Sequence, residues 1–218
     1  MFQTEFELVD FFIENSKQNN KYYIRELPTN FGRPDIIELT INQTLLANRK
    51  NKEEKVPQIQ RIDTYIITFL KGKSFVKKKT ILSKLNLNSN VLNASINRLQ
   101  NREMIEQKGD YIKLKSIKEL LFISSLTVYE AKLTNWKYVI EQAERHLWFS
   151  NQSFVLLPDL SEEIKRKAII LGKERGVGVA ITNGDKIVYK TKKVNKLINT
   201  PLLWEINEGI IDGKFEIE

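Results

Sequence analysis

Between residues 123 and 190 the chain alternates between two kinds of hydrophobic pattern, and that alternation limits the folds open to it. Residues 123–133 (ISSLTVYEAKL) alternate apolar and polar positions, as a half-buried strand does. Residues 136–149 carry apolar side chains at helical spacing. Residues 153–158 (SFVLLP) are a short continuous apolar run, the pattern of a buried strand. Residues 161–175 read as a second helix, with Ser161 as its cap and Glu162 and Glu163 in its first turn. Residues 176–182 are a further strand, and 186–190 return beside it through a turn at Asn183-Gly184-Asp185. Strands alternating with helices imply an α/β sheet. Trp204 and its apolar neighbours are expected to dock on this body.

The N-terminal residues add to the same pattern. Residues 4–15 form an amphipathic helix, with Thr4 and Glu7 spaced as a capping box. Strands are expected at 22–27 and 34–41, joined by a turn over 28–33.

The middle of the chain is different. Residues 49–118 hold 17 Lys and Arg against 6 Asp and Glu, whereas 1–48 hold 4 against 7 and 119–218 hold 14 of each. The net charge of +8 therefore belongs to a central block, the electrostatic footprint of a nucleic-acid-binding module or of a lysine-rich solvated surface. Within it, 58–70 is an amphipathic helix stopped by Gly72. A short helix follows at 78–85, then a turn at 86–88. A third helix is capped by Ser89 and striped by Val91, Leu92, Ser95, Ile96 and Leu99. Residues 104–114 alternate around Gly109-Asp110, a β-hairpin. The run TILSKLNLNSNVLNASINRLQNREMIEQKGDYIKL resembles the winged helix-turn-helix family. That resemblance implies DNA contacts from the third helix through Asn88, Asn90, Asn93, Asn97 and Arg98, since amides pair with adenine edges and arginine with guanine. Lys108 and Lys113 of the wing, and Lys77, Lys78 and Lys79, would contact phosphates. A winged helix can also serve protein contacts or act as a spacer.

The flanking blocks carry a second resemblance. GRPDIIEL (32–39) and TVYEAKL (127–133) are similar to the two halves of the PD-(D/E)xK nuclease signature, as Pro34-Asp35 and Glu130-Ala131-Lys132. Residues i and i+2 of a strand share a face, so Glu130 and Lys132 project together. Two carboxylates and a backbone carbonyl, that of Ala131 in the resembling families, make a hard oxygen site for Mg²⁺ or Mn²⁺. The family implies that Asp35 and Glu130 bind the metal and that Lys132 positions the attacking water. Glu5, thirty residues before Asp35, matches the helix glutamate of Holliday-junction resolvases and is a third candidate ligand. Gln142 opens QAERH, similar to the QxxxY motif of RecB-like nucleases with His146 in place of tyrosine.

These resemblances imply a restriction-endonuclease-like mixed sheet flanked by helices, formed by 1–48 and 119–218. An α+β winged helix-turn-helix domain, 49–118, is inserted between the two halves of the signature. The expected function is metal-dependent endonucleolytic hydrolysis of duplex or structured DNA, with a homodimer cutting both strands. The alternatives are a non-catalytic DNA-binding regulator using the nuclease fold as a scaffold, and a toxin-like or RNA-directed nuclease. The absence of cysteine and the single histidine exclude thiolate catalysis, zinc fingers and multi-histidine metal sites. No run approaches the length of a membrane span and no signal peptide is evident, so a cytoplasmic protein is expected. Gly176-Val177-Gly178 precedes a strand, the wrong order for a dinucleotide-binding turn. His146 is expected to be an ordinary packed or surface residue, and Trp136, Trp148 and Trp204 to be core.

Overall fold

A computed structural model describes residues 2–52, 56–183, 186–190, 196–215 and 217. In chain order the elements are α1 (Glu5–Ser16), β1 (Lys21–Arg25), β2 (Ile36–Ile41), α2 (Gln43–Lys52), α3 (Arg61–Leu70), β3 (Val76–Lys77), α4 (Lys78–Leu85) and α5 (Ser89–Asn101). Then come β4 (Ile105–Lys108), β5 (Tyr111–Leu114), α6 (Ile117–Leu120), β6 (Ile123–Ala131), α7 (Trp136–His146), β7 (Gln152–Leu157), α8 (Glu162–Arg175), β8 (Gly178–Asn183), β9 (Lys186–Lys190) and α9 (Pro201–Ile211). They divide into two compact units: residues 1–41, 124–198 and 217–218, and residues 42–123 and 199–216.

The first unit is α/β, a mixed sheet flanked by helices, with strand order β1-β2-β6-β7-β8-β9. β6, β7 and β8 are parallel, and α7 and α8 supply the crossovers that parallel neighbours require. β1 pairs antiparallel with β2, and β9 antiparallel with β8. The central strands are apolar on both faces because helices cover both. One face, with Tyr129, Ala131, Phe154, Leu156 and Ala180, packs on Leu8, Val9, Phe12 and Ile13 of α1. The other, with Val155, Leu157, Val179 and Ile181, packs on Val139, Ile140 and Ala143 of α7 and Ala168 of α8. Thr4 caps α1 by accepting from the Glu7 amide at 3.2 Å, and the Glu7 carboxylate accepts from the Gln3 amide at 2.7 Å, one residue earlier than a capping box predicts. Of the expected hairpin turn, Gly184 and Asp185 lie outside the described residues.

The second unit contains α3, α4 and α5 followed by a three-stranded antiparallel sheet, β3-β5-β4. Ile66, Ile67, Leu70, Ile81, Leu92, Ile96, Leu99 and Ile112 form its centre. The unit extends beyond 49–118 at both ends and also takes residues 199–216. Trp204 is fully buried in this core, so α9 belongs here rather than on the sheet body where the sequence pattern assigned it. The helix is fastened by charge: the Glu208 carboxylate accepts from Arg49 at 2.7 and 2.9 Å and from Arg102 at 3.2 Å, all three residues being buried. Asp212 also pairs with Arg102. Asn88, not Ser89, caps α5, its side-chain oxygen accepting from the Val91 amide at 2.9 Å. Trp148 is 72% exposed, contrary to the core position expected of it.

Candidate active site

β2 begins at Ile36, so Asp35 stands at the entrance of a strand next to β6 in the sheet. Its Oδ2 accepts from the backbone amide of Ala131 at 2.6 Å. Ala131 ends β6, where pairing to β7 continues through the Lys132 amide, which donates to Leu156 O at 3.0 Å. The carboxylate of Asp35 is thereby fixed against the Glu130-Ala131-Lys132 segment.

Glu130 and Lys132 engage different partners. Lys132 Nζ lies 2.9 Å from both carboxylate oxygens of Glu5, in the first turn of α1. Glu130 Oε1 lies 2.5 Å from Nε2 of His146, the last residue of α7. His146 is buried, and among the described residues its Nδ1 has no hydrogen-bond partner. The turn before Asp35 closes over it. Gly32 has φ of +119°, a backbone region that favours glycine, and a β-carbon there would sit 3.5 Å from His146 Cε1. Phe31 stacks on Phe149 at 5.8 Å.

The electrostatics follow from this crowding. Burial, reinforced by Glu130 and Glu5, pushes the Asp35 carboxyl up to about 6, against the lowering effects of the Ala131 amide and Lys132. The Glu5 carboxylate, through its hydrogen bond, holds the Lys132 ammonium above the ordinary lysine range. Among the described residues no three His, Asp or Glu side chains already converge as a metal cage. The donor chemistry nevertheless suits a hard divalent cation, because the repulsion from Glu130 and Glu5, which adds to burial in raising Asp35, is what a cation between carboxylates relieves. Asp35, Glu130, Lys132 and Glu5 thus share one neighbourhood. Gln142 is half-buried one turn before His146 and, among the described residues, makes no hydrogen bond to this cluster. The sequence predicts an ordinary packed or surface role for His146, whereas the structure places it against Glu130; its signal is its place one helical turn after Gln142, among the buried residues of α7.

In the second unit Asn90, Asn93 and Asn97 are exposed on α5, and Lys77, Lys79 and Lys108 are exposed around the small sheet. Lys78 and Lys113 are half-buried. Arg98 is not available to a base edge. Its guanidinium forms a two-pronged pair with the fully buried Asp63, at 2.7 and 2.8 Å. Asn88 is spent on capping. No family, curated protein or solved structure matches this chain, and among the described residues no helix is long and apolar enough to cross a membrane.

Proposed function

We propose that the protein is a divalent-metal-dependent deoxyribonuclease of the PD-(D/E)xK kind. In this reading the first unit is restriction-endonuclease-like, and the second is a winged helix that brings it to duplex or structured DNA. The observation that carries it is the 2.6 Å contact from Asp35 to the Ala131 amide, which joins residues 96 positions apart in sequence. A signature arising by chance has no reason to assemble in space.

Asp35 and Glu130 would hold the metal, with Glu5 as a third carboxylate. A bound Mg²⁺ or Mn²⁺ polarises a phosphodiester and makes a bound water more acidic. Lys132, held charged beside Glu5, orients the nucleophilic water and offsets charge developing at phosphorus. His146 fixes one oxygen of Glu130 and so sets the orientation of that carboxylate. Exposed Asn93 and Asn97 of α5 would read a duplex groove. Cutting both strands takes two such sites, so the reading includes a homodimer.

A second reading, a DNA-binding regulator without catalysis, draws on the closure of Glu5 onto Lys132 and of Glu130 onto His146, which satisfies these acids internally. Linear, supercoiled, single-stranded and branched DNA, each with and without Mg²⁺ or Mn²⁺, separate the two. A nuclease cuts at least one substrate only with metal; a regulator binds and cuts none.

A further inference from the structure

The cations of the second unit are not on the helix expected to read DNA. α5 has a single charged residue, Arg98, and that one is consumed by Asp63. One cluster of positive charge lies instead on the solvent face of the β3-β5-β4 sheet, apart from exposed lysines such as Lys79 and Lys84 on α4. Register places Lys77 and Lys108 on either side of Tyr111, and Glu106 beside Lys113. The alternate residues Ile105, Ile112 and Leu114 point to the core, so Lys77, Lys108, Tyr111 and Lys113 share the outer face. Phe75 joins them: Lys108 Nζ and Lys113 Nζ lie 4.9 and 5.7 Å from its ring centre, and Lys77 Nζ lies 5.5 Å from that of Tyr111. Tyr111 is 40% exposed. The face is braced, since the Lys78 amide donates to Asp110 O at 2.8 Å and Gln107 donates to Gly109 O at 2.8 Å.

Three lysines alone would suit any phosphate backbone. Two aromatic rings among them offer an undistorted duplex no stacking surface, because its bases are stacked inside and only the Tyr111 hydroxyl could reach a phosphate. Unpaired bases can stack on such rings while the lysines hold the phosphates. We propose that the outer face of the β3-β5-β4 sheet binds single-stranded DNA, with Tyr111 as the stacking platform and Lys77 and Lys108 as phosphate contacts. The inference rests on the nuclease reading only in taking DNA as the partner. It would direct that activity to DNA carrying an unpaired strand.

The test is equilibrium binding of labelled oligothymidylate and of a random duplex of equal length, without metal, by the full-length Asp35→Ala protein. Oligothymidylate should bind more tightly than the duplex. Tyr111→Ala should weaken oligothymidylate binding by about tenfold or more and leave duplex binding unchanged. Asn93→Ala/Asn97→Ala should do the reverse. The joint variant Lys77→Ala/Lys108→Ala should lower oligothymidylate affinity and flatten its salt dependence. Unfolding midpoints equal to the parent's keep each variant interpretable. Equal or tighter duplex binding, or a silent Tyr111→Ala, overturns the proposal. Cleavage by the protein with Asp35 intact is scored separately. Loss of the binding pattern with cleavage retained removes this inference alone, and the binding pattern without cleavage removes the nuclease reading alone.

Discussion

The carboxylate of Asp35 is anchored 2.6 Å from the backbone amide of Ala131, the residue between Glu130 and Lys132. This contact does more than bring two strands together. It places a half-buried acid among Glu5, Glu130 and Lys132, and each of these shifts its proton affinity.

Asp35 is raised from 3.8 to about 6, chiefly by burial. An acid whose folded-state pKa exceeds its unfolded value holds its proton more tightly in the folded protein. Its contribution to stability is therefore present below the lower value and lost as pH rises through the higher one. Between those limits the thermal midpoint of the wild type should fall relative to that of Asp35→Asn, which cannot ionise. A constant difference between the two midpoints across this window would show that Asp35 titrates normally.

His146 should act through Glu130. Replacing it with alanine frees the carboxylate it holds at 2.5 Å. Loss of such an orienting partner typically costs 10- to 100-fold, as an order of magnitude, in metal affinity or activity. Titration of cleavage against Mg²⁺ should show a raised half-saturating concentration for His146→Ala. An unchanged metal requirement with an unchanged rate would make His146 a packing residue only.

Arg98 should matter to stability rather than to base reading. Asp63 is fully buried, and it caps α3 through the Gln60 amide while pairing with Arg98. Removing one partner of a buried pair strands the other, at a cost of about 3 kcal/mol or more. Urea unfolding should show a loss of this size for Arg98→Ala, which strands the fully buried Asp63, and the double variant with Asp63→Ala should lose less than the sum of the two.

Glu208 stands between two buried guanidiniums, Arg49 and Arg102. Glu208→Ala should destabilise the second unit by about 3–5 kcal/mol, measured by urea unfolding followed by the fluorescence of Trp204, which is buried in that unit. Glu208→Gln should be milder, since it keeps an acceptor. Equal effects would show that the network is held by shape and not by charge.

What could be read beforehand divides along physical lines. The parallel strands are legible because burial on both faces leaves continuous apolar runs such as Phe154 to Leu157. Asp35, Glu130 and Lys132 are legible because residue type and order survive in the sequence even across an intervening compact unit. α2 is not legible because Leu45 and Leu46 are its only large apolar residues, too few to show a period, and its other buried side chain is Arg49. The role of Arg98 is hidden for a different reason: an arginine on a polar helix face and a helix-start aspartate give no local sign that they meet 35 residues apart. His146 faces Glu130 from another element, and only tertiary packing brings a strand carboxylate to the last turn of that helix. Trp204 and its apolar neighbours foretell burial, yet nothing local states which unit receives them.

The most direct measurement compares Mg²⁺-dependent DNA cleavage by the wild type, Asp35→Ala and Lys132→Ala on one substrate. A PD-(D/E)xK nuclease should show cutting by the wild type that requires metal, and a loss of at least about 100-fold in each variant, with all three proteins folded and binding DNA equally. Metal-independent cutting, or cutting that persists in either variant, would contradict this reading.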